Sequence, residues 1–217
     1  MKKVIIGCAI VAGLALVAGI IVIATAAGSY NHLVQLSQNV DQQWAQVQNV
    51  YQRRADLVPN LVATVSGAAN FEKSTLTEVT QARASVGQVK LSPNTAPTNP
   101  AKLAQFEQAQ SQLTSALSRL LVVAERYPDL KATRNFAMLQ VQLEGTENRI
   151  SVERRRFNRV VQSYNSTILS FPALIYARAL GFKEKPYFSA SPGAEKAPKV
   201  QFDFNHQPAA APAAAKP

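Results

Sequence analysis

The stretch FAMLQVQLEGTENRISVERRRFNRVVQSYNSTILSF, residues 136–171, decides the fold class. Its apolar seam is Phe136, Leu139, Leu143, Ile150, Phe157, Val161, Tyr164, Ile168 and Phe171, spaced by three, four or seven. Those intervals return a side chain to the same helical face, so the pattern is that of a helix packed on other helices. Glutamine, asparagine and arginine fill the positions between, as on a solvated face. The reading predicts one long amphipathic helix that Pro172 ends or bends, because proline lacks the N–H that the ladder needs.

Upstream, Leu103, Phe106, Leu113, Leu117, Leu120 and Ala124 make another stripe, stopped at Tyr127-Pro128-Asp129. LSPNTAPTNP at 91–100 is a loop by its prolines and asparagines. Before it, Leu61, Val65, Ala68 or Ala69, Leu76, Val79 and Val86 form a second stripe, and Leu33, Leu36, Val40, Trp44, Val47 and Val50 or Tyr51 the first. Pro59 separates these two, so a turn or kink is expected near residues 56–58. Strand signals are almost absent before residue 186. The expectation is an all-α protein, an up-and-down four-helix bundle with coiled-coil-like seams.

The N-terminus adds a different element. Lys2 and Lys3 precede VIIGCAIVAGLALVAGIIVIATAAG, and residues 4–27 hold no charged side chain. As a helix these positions reach ~36 Å, against a bilayer hydrocarbon core of ~30 Å. A single transmembrane anchor is therefore expected, longer than the ~7–15 apolar residues of a cleaved signal peptide. Cys8 follows Lys3 by too few residues for a lipoprotein signal and reads as a small membrane residue. Basic residues then predict a cytoplasmic N-terminus, with residues 29–217 on the outer, periplasmic or extracellular side.

The expected organisation is an anchor at 1–28, a helical domain at 29–189 and a tail at 190–217. Within it, 173–180 is expected as a short helix that Gly181 stops. The Ala/Pro-rich tail is too poor in buryable apolar surface to order itself, apart from the alternating Val200-Gln201-Phe202-Asp203-Phe204.

The chemistry-bearing residues point away from catalysis. There is no phosphate loop, nucleophile elbow or paired-histidine motif. One cysteine and two histidines, His32 and His206, exclude a four-ligand zinc site, and a di-iron bundle would need Glu-x-x-His pairs. Arg53-Arg54-Ala55-Asp56 reads as an Asp–Arg pair holding a helix end. Glu144 and Glu147, with Arg149 and Arg154–Arg156 following, read as a salt-bridged solvated face. Trp44, Phe157 and Tyr164 fall on apolar stripes and read as core. The formal charge of +10 suits anionic lipid or acidic partners, but nucleic acid is not expected outside the cytoplasm.

An ordered series of short matches carries a resemblance. It runs Tyr30-Asn31-His32-Leu33-Val34, Trp44, Arg53-Arg54-Ala55-Asp56-Leu57-Val58-Pro59-Asn60-Leu61-Val62, Ala82-Arg83, and Glu125-Arg126-Tyr127-Pro128-Asp129-Leu130-Lys131-Ala132. It continues with Glu144-Gly145-Thr146-Glu147-Asn148-Arg149-Ile150, Arg155-Arg156-Phe157-Asn158, Tyr164-Asn165, Ser170-Phe171-Pro172, Gly181-Phe182 and Pro198-Lys199-Val200. Over residues 29–204 the chain resembles the LemA family, whose usual Tyr-Asn is Phe157-Asn158 here. The resemblance implies a bacterial membrane protein with a helical-bundle soluble part and no established catalytic residues. The functional expectation is a membrane-anchored, non-enzymatic interaction or scaffolding protein that self-associates, without cofactor or metal. A lipid-engaging module that senses or shapes the bilayer is the alternative; the protein partner is not legible.

Overall fold

The structure is a computed structural model; it describes residues 2–67 and 71–189, except the side chains of 2–12, 18, 21–23 and 26. It is all-helical: α1 is Lys2–Ser66, α2 Lys73–Gln88, α3 Pro100–Ala124, α4 Pro128–Lys131, α5 Arg134–Leu169 and α6 Ala173–Tyr176. No strand occurs among the described residues. The alternating segment at 200–204 and the Ala/Pro tail lie outside them.

Four of these helices are long, and they run alternately up and down. Along α1 and α5, Gln43 meets Glu153 while Arg54 meets Glu147, so one chain ascends as the other descends. Arg119 of α3 meets Glu78 of α2 while Arg126, just past α3, meets Glu72, just before α2, in the same antiparallel sense, and Glu107 of α3 reaches Arg154 of α5. Start signals are chemical: Asn99 Oδ1 accepts from Ala101 N at 2.9 Å with Pro100 in the first turn, and Thr133 Oγ1 caps α5.

Of the turn or kink expected at Pro59, the turn does not occur. The proline neither turns the chain nor ends a helix, but lies inside α1, which runs on to Ser66. Its missing N–H leaves the carbonyl four residues back, Ala55 O, without its ladder donor. Arg83 Nε of α2 supplies one at 3.0 Å, and the proline itself faces solvent. The second stripe is thus divided between two helices: Leu61 and Val65 end α1, whereas Val79 belongs to α2. Removing the guanidinium with Arg83→Ala should cost ~1 kcal/mol, the worth of one net hydrogen bond. In a Pro59→Ala background the ladder donor returns, so chemical denaturation should then find the Arg83→Ala cost largely gone.

The buried seam divides into two apolar clusters. Leu33, Val40, Trp44, Val47 and Tyr51 pack with Leu103, Phe106, Ile150, Phe157, Val161, Tyr164 and Ile168. Leu57, Val58, Leu61, Val65 and Val79 pack with Leu113, Leu117, Leu120, Phe136 and Leu143. One seam position fails: α5 stops at Leu169, and Phe171, beyond it, is 82% exposed. The short helix 173–180 contracts to α6 plus turns, ending as expected at Gly181, whose φ of 86° suits glycine. Phe182 N then bonds back to Ala177 O at 3.0 Å.

The anchor expected at 4–27 falls mostly on positions whose side chains lie outside the description. Among the described residues no helix is long and apolar enough to cross a membrane. The backbone, however, is one helix from Lys2 into the bundle, with no break at Gly28.

Candidate functional site

Between the two apolar clusters sits a buried cation. Arg54 is 1% exposed and lies one helical turn from Tyr51 on one side and Leu57 on the other. Its Nη1 donates to Glu147 Oε1 at 2.5 Å and to Thr114 Oγ1 at 2.7 Å. Its Nη2 donates to Gln110 O at 3.2 Å and to Gln110 Oε1, and the guanidinium lies 5.2 Å from the centre of the Tyr51 ring. A charge taken out of water needs this many partners, since an unpaired one would cost several kcal/mol. Only Nε has no partner among the described residues.

A cleft of about 960 Å³ opens onto this layer, lined from all four long helices. Tyr51, Arg54, Gln110, Thr114 and Glu147 face it at one end, Glu107, Arg154 and Ser189 at the other. Serines 85, 111, 115 and 151 contribute hydroxyls, but no histidine is present to activate one. Its charges are already matched in pairs, Arg54 with Glu147 and Arg154 with Glu107 at 2.9 Å. Such a lining recognises polar groups by hydrogen bonding more readily than it drives proton transfer. Among the described residues no group of three or more His, Cys, Asp or Glu could hold a metal ion.

Ser189, at the other end of the cleft, belongs to residues 182–189, a non-helical strap held to the bundle through its main chain. Asn165 Nδ2 donates to Lys185 O at 2.8 Å while its Oδ1 accepts from Lys185 N at 3.0 Å. Three strap residues on, Asn158 does the same to Phe188, at 2.9 Å both ways. The two asparagines are seven residues apart and so share a face of α5. Tyr164 Oη donates to Lys183 O, and the two backbone groups of Ser189 go to Glu107 and Arg154. Side chains add to this: Phe188 packs on Trp44 and Phe157, and buried Lys185 donates to Asp41 Oδ1 at 2.6 Å.

Glu107 is the titratable group this arrangement perturbs. Burial pushes its carboxyl above the ordinary 4.5, and the Ser189 N–H and Arg154 only partly oppose that. The folded chain thus holds this proton more tightly than the unfolded chain. Stability from Glu107 should be greatest below pH 4.5 and should fall as pH rises through the raised pKa. Urea unfolding of the native chain and of Glu107→Gln, followed from about pH 4 upward, should differ by that downward slope.

Several sequence assignments are redistributed. Arg54 does not pair with Asp56, which instead accepts from Gln52 at 2.8 Å. Glu147 does not pair with the arginines of its own helix; it meets Arg54, and Glu144 accepts from Gln140. In the Arg154–Arg156 run only Arg154 turns inward, over the Phe188 ring at 4.8 Å, while Arg156 pairs with Glu153. Trp44, Phe157 and Tyr164 are core, as their stripes indicate. His32 and Arg53 are exposed. Asn158, Asn165, Gln110 and Glu107 carried no functional reading from sequence. The seven-residue spacing of the two asparagines beside a buried seam was the available signal.

The LemA family model matches residues 43–202, from just before Trp44 through the strap and past it. The chain belongs to the LemA family. Protein LemA of Metamycoplasma hominis is 26% identical over 164 residues, covering 76% of this chain and 70% of that protein. The magnetosome proteins MamQ of Magnetospirillum gryphiswaldense and MamQ 1 of Paramagnetospirillum magneticum are each 31% identical over 81 residues. Those matches span 37% of this chain and 30% of each relative. LemA membership agrees with the helical fold and includes every residue of the arginine layer and the asparagine clamp; it assigns no chemistry to them.

Proposed function

We propose that this LemA family protein is a single-pass membrane protein whose helical domain serves as a non-enzymatic interaction or scaffolding unit. The observation that carries this is α1, one helix that runs through the uncharged stretch 4–27 and on into the bundle core. In the first part of that helix the described side chains of Leu14, Leu16, Val17 and Ile20 are all exposed, an apolar surface that a bilayer would cover. With no break at Gly28, the anchor and the bundle form one lever, and the membrane sets the orientation of the domain. Lys2 and Lys3 favour a cytoplasmic N-terminus, with the bundle on the outer side.

A non-enzymatic role is supported by the cleft, where Glu147 and Glu107 are each paired with an arginine and no histidine lines the wall beside the serine hydroxyls. The strap supports an interaction role, because the bundle surface holds a length of chain by its backbone groups. Blue-native electrophoresis of detergent-extracted protein, with crosslinking in the native membrane, should find an oligomer or a stable complex. Monomer alone, with no crosslinked partner, would overturn the scaffolding reading. A topology reporter fused after residue 217 should be active only on the outer side.

A further inference from the structure

The α5–α6 turn is built inside out. Its small residues, Ala173 and Ala177, face the core, while Phe171, Leu174, Ile175 and Leu180 face outward at 82, 55, 72 and 51% exposure. A turn bathed in water would place these the other way round, and a cluster of large exposed apolar side chains marks a surface that something covers.

Its position says what covers it. The Phe182 ring lies 5.8 Å from that of Tyr30, and Ile168 and Leu33 share one apolar cluster. The turn therefore stands level with the first residues after the uncharged stretch 4–27. From residue 27 to Tyr30 the helix rises only ~4.5 Å, and any tilt lowers that height. The headgroup layer on each side of a bilayer is ~5–7 Å deep, so the turn falls within it. Its charge suits that place: Arg178 and Lys183 are exposed beside it, and no acidic residue occurs from Arg154 to Lys183, Glu184 being the next. Tyr30 is of the aromatic type found at membrane interfaces.

We propose that the turn at 169–180 is a second membrane contact, seating its apolar side chains in the lipid interface beside α1. This rests on the reading of 4–27 as a membrane anchor. Two attachment points on one rigid bundle would fix its rotation about α1 as well as its height, presenting a constant face of the domain along the membrane.

The test uses the full chain with Cys8→Ser and one added cysteine carrying an environment-sensitive fluorophore. Leu16→Cys reports the anchor, Ile175→Cys the turn, and Val141→Cys an exposed site ~40 Å away along α5. All three positions are exposed, so the label displaces no core side chain. The proteins are reconstituted into phosphatidylcholine–phosphatidylglycerol vesicles holding lipid-borne quenchers at shallow and deep positions. Loss of fluorescence is expected at 16 and at 175, shallow at the latter, with none at 141. Quenching at 16 without quenching at 175 overturns the second contact and leaves the anchor standing. A blue shift at 175 without quenching also overturns it, since a second copy or another protein then covers the turn. No quenching at 16 overturns the anchor itself, and the proposal with it. Quenching at all three sites overturns the specific contact, because the bundle would then lie flat on the lipid.

Discussion

Trp44→Ala is expected to remove about 3–5 kcal/mol of folding stability, the usual cost of truncating a buried tryptophan. Trp44 is fully buried, and its ring lies 5.7 Å from Phe106, 5.6 Å from Phe157 and 6.1 Å from Phe188. Its Nε1 also donates to Ser92 O at 3.0 Å, tying the 89–99 loop to α1. One side chain therefore joins α1, α3, α5, the loop and the strap. At about 2–4 °C per kcal/mol for a domain of this size, the melting temperature should drop by about 10 °C. The strap should loosen before the helices do, because Phe188 loses its stacking partner while the α5 seam keeps the rest of its contacts. Thermal melts by circular dichroism, with limited proteolysis mapping the first cleavage, check both parts. Trp44→Phe keeps a ring and loses the hydrogen bond, so it should cost only ~1–2 kcal/mol.

Arg54→Ala is the second large loss, about 3 kcal/mol, because it strands Gln110 and Thr114 and opens a hole between the two apolar clusters. Arg54→Met should be clearly milder: it fills most of the space and removes the charge whose desolvation the layer has to offset. Glu147→Ala alone leaves the guanidinium buried without its counter-charge. Glu147 is 41% exposed, so water screens part of that loss and a cost of ~1–2 kcal/mol is expected. In an Arg54→Met background the same Glu147→Ala should cost almost nothing. Equal costs in the two backgrounds, measured by urea unfolding, would show that the two residues are not coupled.

The helical seams were legible because they are local. Phe136, Leu143, Ile150, Phe157, Val161, Tyr164 and Ile168 are all buried, as the three-four-seven spacing required, and the stripe at Leu103–Leu120 is buried as well. Each spacing needs only the 3.6-residue turn of its own helix. Phe171 fits the same arithmetic and still points outward, because the period has meaning only while the helix continues. Its end at Leu169 is where the arithmetic stops applying.

The candidate site was legible only in fragments. Arg53-Arg54-Ala55-Asp56 and Glu144 with Glu147 stand out as charged clusters, but spacing alone offers each only partners close by in sequence. The real pair spans 93 residues. Pro59 is the same case: its effect on α1 depends on Arg83, which sits on another helix and reaches back to Ala55.

By itself, the sequence determined an uncharged N-terminal stretch, four amphipathic stripes, the glycine stop at 181 and membership of the LemA family. These follow from composition, helical period and local motifs, which need no knowledge of neighbouring helices. Only the tertiary structure decided that Pro59 is spanned, that Arg54 joins Gln110, Thr114 and Glu147, and that two asparagines hold the strap by its backbone. It also decided that the turn after α5 turns its large side chains outward. All four depend on how separate segments pack across the whole bundle, and of this the sequence shows only the seven-residue spacing of the two asparagines, which does not say what they hold.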